Sequence, residues 1–324
     1  MDEVENILIS VLLPIGSIRP WLSDCLESIE RASNNLNVEL VAVLNNLQEA
    51  EQRLAAILVR KMVKKNYQII LSDKNNLADI LNDGIRSAKG QYIARIDDDD
   101  LMEPDRLLIQ AKFFEQNPKT VLVGGSTKVI DENGFQIRLN KYPRNNNDIR
   151  QLLKYGNCFA HSAVMFSRQD AVNVGMYQKD YLYAEDYQLW TKLAQIGETH
   201  NVDMPVGSYR LHKSQLNLTK KKAQIFSVKK IIRELAQIDL HKAFVTKSRV
   251  VAVKKKFQFR RIAINSRILS RQYFAMARLF ADHMRRLNRR SVGYMLFSLI
   301  INPLEFFRII NAVLRISNHG RISN

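Results

Sequence analysis

Short apolar runs alternate with amphipathic stretches of helical spacing along the first hundred residues. Ile7–Leu13 is an apolar run stopped by Pro14, the pattern of a buried strand. Pro20 opens a helix whose apolar side is Trp21, Leu22, Cys25, Leu26 and Ile29. Val38–Leu44 is a second strand, ending in Asn45-Asn46, and a helix with Leu54, Ile57, Leu58 and Met62 inward follows. Gln68–Leu71 is a third strand, and Asn76 to Ala88 a third helix closed by Gly90. A fourth strand starts at Tyr92 and runs out into Asp97-Asp98-Asp99-Asp100. This alternation predicts an α/β fold, an open and mostly parallel sheet with helices on both faces. Such sheets bind ligands beyond the carboxyl ends of their strands. Pro14, Asn45, Asp73 and Asp97–Asp99 all sit at those ends and should line one crevice.

The pattern then changes. Pro104–Asn117 reads as a helix, and Thr120–Ile130 and Phe135–Leu139 as strands joined by a turn at Asp131-Glu132-Asn133-Gly134. Ala163–Ser167 is a strand, Glu185-Asp186 begins a helix running to Gly197, and Val206–Leu211 is a last strand, followed by His212. Tyr142–Asn147 and Gln178–Ala184 read as irregular loops. From Lys213 onward the spacing is helical and the surface basic, with Lys220–Lys222, Lys254–Lys256, Arg285-Arg286 and Arg289-Arg290. The last arginines precede an apolar block, Val292–Ile301, too short to span a bilayer. We therefore expect an α/β domain at 1–215, divided near 103/104, and a helical basic extension at 216–324.

Charge sharpens that division. The 324 residues carry a formal net charge of +17. Residues 1–212 hold 24 Lys+Arg against 28 Asp+Glu, a net of −4, and residues 213–324 hold 25 against 4, a net of +21. The excess sits wholly in the last third and calls for an anionic partner. Arginines beside a short apolar block suit an anionic membrane surface, with a core helix or a homo-oligomer contact as the alternative. Few aromatics accompany the basic clusters and no nucleic-acid motif occurs, so no nucleic-acid partner is expected. Cys25 and Cys158 lack disulfide or zinc-site spacing and fit a reducing compartment. We expect a cytoplasmic protein, peripheral on the inner face of the membrane, without a signal peptide or a spanning helix.

The four acids repel one another, so a folded chain keeps them together only with water or a cation between them. In a strand, Asp97 and Asp99 point to one side and Asp98 to the other. Two carboxylates at a strand's carboxyl end make a partial shell for Mg²⁺ or Mn²⁺. A solvated acidic turn, with Asp100 or Glu103 helping to start the next helix, is the alternative.

Three stretches decide between them. The first runs from Asn76-Leu77-Ala78-Asp79 through Asn82-Asp83-Gly84, Ala88-Lys89-Gly90 and Asp97–Asp100 to Pro104 and Arg106-Leu107. The second is His161-Ser162-Ala163-Val164-Met165-Phe166 with Gly175 and Ala184-Glu185-Asp186-Tyr187-Gln188-Leu189-Trp190. The third is Tyr209-Arg210-Leu211-His212. In this order and spacing they resemble the family 2 glycosyltransferases of the GT-A fold, over about residues 5–215. The resemblance implies a GT-A, Rossmann-like fold and an inverting, Mn²⁺- or Mg²⁺-dependent hexosyltransferase. Its donor would be a nucleotide sugar, with UDP leading, and its acceptor a saccharide or lipid-linked saccharide of surface polysaccharide synthesis. Asp99 would be the metal ligand, Asp97 would contact the ribose or assist the metal, and His212 could complete the metal site. Asp98 falls at a variable position, and Asp100 would support the following helix. Pro14, Asn45, Asn82, Asp97, Asp98 and Arg210 would border the donor, with holding its own loop as the alternative for Arg210. Asp186 would be the general base, with Glu185 the second candidate; helix capping is the plain alternative for both. His161 and Ser162 would shape the acceptor side.

Two departures from the family pattern stand out. Asn45-Asn46-Leu47 replaces the usual Asp-Asp-Gly-Ser, and Pro14-Ile15-Gly16-Ser17 lacks the base-stacking aromatic. An asparagine carbonyl still accepts a hydrogen bond from a base N–H, without charge. The altered site motivates the alternative of a catalytically weak nucleotide-sugar or carbohydrate-binding scaffold subunit.

Overall fold

The computed structural model describes residues 8–212 and 218–247. Its first half is the expected alternation: β1 (Ile9–Ile15), α1 (Leu22–Ala32), β2 (Val38–Asn45), α2 (Glu49–Met62), β3 (Asn66–Ser72), α3 (Leu77–Ser87) and β4 (Tyr92–Arg95). The second half comprises β5 (Leu101–Met102), α4 (Arg106–Gln116), β6 (Thr120–Ile130), β7 (Gln136–Asn140), α5 (Asn146–Leu152), β8 (Met165–Ser167), α6 (Arg168–Asn173), α7 (Glu185–Ile196), β9 (Glu198–Arg210) and α8 (Leu218–Lys247). One sheet runs β3-β2-β1-β4-β8-β6-β9-β5, with β7 paired to β6. The β3-β2-β1-β4 half is wholly parallel. In the other half β8 lies antiparallel to both neighbours, while β6 and β9 run parallel.

Strand order forces the sheet to curl. Three strands separate β4 from β5, although only the five residues 96–100 connect them. A flat sheet would put those strands about 19 Å apart, close to the roughly 20 Å limit of a fully extended link of that length. The link is instead a turn, with the Asp100 N–H donating to the Asp97 carbonyl at 3.2 Å. The far strands therefore fold back over the end of β4, where the acids lie.

The two sheet faces follow from strand alternation. Val11, Leu13 and Ile15 belong to the core cluster with Leu22, Leu26 and Ile29 of α1 and Leu107 of α4. On the opposite face Gly84 of α3 lies so close to Leu12 that a Cβ there would come within 2.2 Å of the leucine methyl. A polar knot ties the parallel strands. Glu39 of β2 accepts from the Ser10 hydroxyl at 2.5 Å, the Lys89 N–H at 2.6 Å and the Gln68 amide at 2.8 Å. Burial raises the Glu39 pKa, but these donors outweigh it and hold the carboxyl below its ordinary value.

Local expectations change at several points: β9 starts at Glu198 rather than Val206, and β8 at Met165 rather than Ala163. Pro14 lies inside β1, which continues to Ile15; β1 loses its β4 neighbour after Leu12, so no ladder bond is missed there. Leu58 and Met62 of α2 pack against the core beside the buried Ala55 and Val59, while Leu54 and Ile57 are 44% and 57% exposed. Gly90 is not a left-handed helix cap. The α3 cap is Ala88 in extended conformation, and Gly90 is needed because a Cβ would lie 2.5 Å from the Ser10 nitrogen. The loop expected at Tyr142–Asn147 runs into α5 from Asn146, and Arg168–Asn173, for which no element was expected, form the short helix α6.

The chain divides into two compact units, Met1–Ile232 and Arg233–Asn324, with the division inside α8. In the first unit, α8 lies against the segment before α7: Ser227 donates to the Leu182 carbonyl at 2.9 Å and Gln224 to the Tyr183 carbonyl at 3.0 Å. Among the described residues no helix is long and apolar enough to cross a membrane. Lys254–Lys256, Arg285–Arg290, the block Val292–Ile301 and the contacts expected of them lie outside the described residues.

Gly90→Ala should destabilise the protein by about 2–3 kcal/mol, the upper part of the range for overpacking, because the neighbour is main chain. In a thermal melt this is a fall of roughly 5–10 °C. Gly156→Ala, which meets open space, should leave the midpoint unchanged.

Candidate active site

β4 ends at Arg95, so the four acids form a turn rather than a continued strand. The turn still separates Asp98 from its neighbours, and it adds Asp100 to the pair. Carboxylate oxygens of Asp97, Asp99 and Asp100 all lie within 4.8 Å of one another. Each acid has its own partner. Arg95, fully buried, holds Asp97 through two N–H···O bonds. The Arg19 guanidinium donates to Asp99 at 2.8 Å. Asp98 accepts from the Gly16 N–H at 3.4 Å, and Asp100 from the Arg210 N–H at 2.8 Å. Asp100 therefore does not support the following helix, which begins at Arg106; it closes the turn onto β9.

Burial is the main force on these groups. Burial first, then the neighbouring carboxylates, pushes Asp98 up to about 7 and Asp100 well above the usual range. Asp97 is also raised by burial, although Arg95 opposes the shift. The cluster is short of positive charge, and one buried oxygen of Asp100 has no hydrogen-bond partner. His212 completes the arrangement, its Nε2 2.7 Å from Asp99 Oδ2, with the ring packed on Trp21 at 4.9 Å between centroids. Three close carboxylates and an imidazole fit a hard divalent cation.

Two residues expected beside a nucleotide are committed elsewhere. Asn82 spends both ends of its amide on the Tyr177 main chain, donating to its carbonyl at 2.8 Å and accepting from its N–H at 3.0 Å. It joins α3 to the segment before α7. Arg210 donates to the carbonyls of Asp99 at 2.9 Å and Glu132 at 3.1 Å, and its guanidinium lies over Trp21. It holds the loop. Asn45, the last residue of β2, lies beside Gly16, whereas Pro14 is buried within β1.

Glu185 and Asp186 open α7. Asn157 donates to Asp186 at 2.6 Å and fixes its carboxylate. Burial raises both acids, Glu185 to about 7 with help from Asp186. The Arg95 charge opposes the shift at both, as it does at Asp97. The charge of one buried guanidinium thus acts on both the acidic turn and the α7 acids. His161 meets the Tyr177 hydroxyl at 3.0 Å, and burial, then Arg95, lowers its pKa well below the usual value. A cavity of about 180 Å³ lies next to the turn, lined among others by Asp97, Asp100, His161, Ser162, Tyr142 and Tyr209.

Sequence reasoning gave no role to Arg95 or Arg19 and quoted Arg106 only as part of the family pattern. Arg106 is fully buried and donates to the carbonyls of Arg95, Ser162 and Val164, with its pKa lowered to about 9 by burial and then by Arg95. A lone arginine ending an apolar strand was the available signal for Arg95; nothing local marked Arg19.

The model of the family described as glycosyl transferase family 2 matches residues 10–175. The chain belongs to that family. The amylovoran biosynthesis glycosyltransferase AmsE of Erwinia amylovora is 31% identical over 243 residues, covering 72% of this chain and 90% of that protein. The O-antigen biosynthesis glycosyltransferase WbnJ of Escherichia coli is 38% identical over 116 residues, 35% of this chain and 43% of that one. The crystal structure of residues 1–349 of S. aureus TarS in complex with UDP-GlcNAc superimposes with a TM-score of 0.54 at 15% identity, covering 78% of each chain. The fold of this glycosyltransferase is thereby GT-A-like.

Glu185 binds its proton more tightly folded than unfolded. Between the ordinary carboxyl pKa of about 4.3 and about 7, the native state holds the extra proton, so stability falls as pH rises through that window. Thermal melts of Glu185→Gln should match the wild type near pH 4.5 and lie above it at pH 8.

Proposed function

We propose that this glycosyltransferase moves a sugar, with inversion, from a nucleotide sugar to a saccharide or lipid-linked saccharide in surface polysaccharide synthesis. The observation that carries the reading is the pair of acidic groups on which the Arg95 charge acts. The first is Asp97, Asp99 and Asp100 with His212; the second is Asp186 and Glu185. Asp99, Asp97 and His212 would hold Mn²⁺ or Mg²⁺, with Asp100 as a further oxygen donor. When bound, the ion neutralises charge developing on the departing diphosphate.

The chain's own residues supply the remaining steps. Asn45, at the mouth of the crevice, would accept from a base N–H; UDP is the leading donor nucleotide. The cavity beside Asp97 would receive the acceptor, with His161, Ser162 and the Tyr142 and Tyr209 rings shaping it. Asp186 takes the proton from the attacking hydroxyl. Burial lifts its pKa toward the working pH, which makes it a stronger base, and the Asn157 amide aims it. The named roles of the relatives AmsE and WbnJ support the polysaccharide assignment. The charge division supports a peripheral place on an anionic membrane: residues 213–324 carry a net of +21.

Asp186→Asn should lower kcat by about 10²–10⁴, the range for loss of a general base, with little change in donor affinity. Asp99→Ala should abolish metal-dependent turnover. Full transfer by both variants would refute the assignments. The full chain should co-sediment with phosphatidylglycerol vesicles, and truncation near residue 285 should cost it that binding. No binding by the full chain would rule against the membrane placement, and undiminished binding after truncation would rule against residues beyond 285 as the anchor.

A further inference from the structure

We propose that Arg19 is an internal counter-ion that competes with the divalent metal for Asp99 and, once displaced, binds the diphosphate of the donor. The inference rests on the metal site read above at Asp99 and His212. Three distances carry it. Arg19 Nη1 lies 2.8 Å from Asp99 Oδ2, 3.9 Å from Asp98 Oδ1 and 3.4 Å from His212 Nε2. His212 Nε2 approaches the same Asp99 oxygen at 2.7 Å. A metal ion held by that oxygen and that ring nitrogen takes the place where the Arg19 N–H now donates. The guanidinium and the ion therefore exclude each other at Asp99.

Exposure says where Arg19 goes. Its side chain is 33% exposed, against 9% for Asp99 and 3% for His212. It stands on the loop between β1 and α1, beside Gly16, whose main chain touches Asp98. The displaced guanidinium thus has open space at the mouth of the crevice and no buried cavity to cross. Its planar fork matches two oxygens of a diphosphate. Arg95 and Arg210 cannot do this, because Arg95 is bonded to Asp97 from within the core and Arg210 to main-chain carbonyls. The arrangement couples two binding events. Metal alone must break the Arg19–Asp99 ion pair without compensation, whereas metal with a nucleoside diphosphate lets Arg19 exchange one anion for another. Such coupling is reciprocal.

Mn²⁺ titrations followed by electron paramagnetic resonance, with and without UDP, test the proposal on Arg19→Gln, Asp99→Ala and the wild type. In the wild type UDP should tighten Mn²⁺ binding about tenfold or more. Arg19→Gln should bind Mn²⁺ alone about five- to tenfold tighter than wild type, and the enhancement by UDP should shrink by a similar factor. Unchanged or weaker Mn²⁺ binding by Arg19→Gln, in a protein whose Asp99→Ala variant has lost the ion, overturns the competition while leaving the metal site standing. Mn²⁺ binding by Asp99→Ala equal to wild type would instead remove the metal site on which the proposal rests.

Discussion

A buried arginine bonded to a carboxylate at the end of a parallel strand is the interaction on which this site depends. Four adjacent acids would ordinarily spread into water. Here Arg95 takes Asp97 from inside the core, and the turn that follows is pinned by donors from three directions: Arg19, the Gly16 N–H and the Arg210 N–H. A buried ion pair gains little over apolar packing, yet its orientation is fixed. Orientation is what the acids need, because oxygens from three of them must face one point.

Arg95 has a second consequence. Its charge reaches Glu185 and Asp186 as well as Asp97, so two groups far apart in sequence are set against one another by a single cation. Arg106 stiffens the same region by bonding three main-chain carbonyls around it. The curl of the sheet is what makes the arrangement compact. The acidic turn is too short for a flat sheet of this strand order, and β9 is carried back to it with Arg210 and His212 at its end. Helix α8, beyond the span of the family match, adds support by bonding the carbonyls of Leu182 and Tyr183 just before the α7 acids.

Much of this was readable along the chain. Apolar runs of strand length between helical stretches specify a parallel α/β half, because both faces of such a sheet are covered. The strands β1 to β4 and the helices between them follow that pattern closely. The helix beginning at Glu185 was legible for the same reason. Local chemistry was readable too: acids at a strand's end and acids at a helix start need compensation wherever they fold. The misreadings share a cause. Gly90 looked like a helix cap because sequence shows its distance from a helix end but not the Ser10 backbone pressing on it. Leu54 and Ile57 looked inward because hydrophobicity does not report which side of a helix meets the sheet. Asn82 and Arg210 looked like ligand contacts because their partners, Tyr177 and the carbonyls of Asp99 and Glu132, lie elsewhere in the chain.

The amino-acid order by itself determined the elements, the family and the residue types available for chemistry, since those follow from periodicity, turn residues and adjacent charge. Only the tertiary structure decided which polar groups were already taken. A hydrogen bond or an ion pair is set by distances of about 3 Å between side chains that can be a hundred residues apart. Arg19, 80 positions before Asp99, and His212, 113 positions after it, meet on one carboxylate oxygen. Nothing in the spacing along the chain encodes that meeting; the curl of the sheet does.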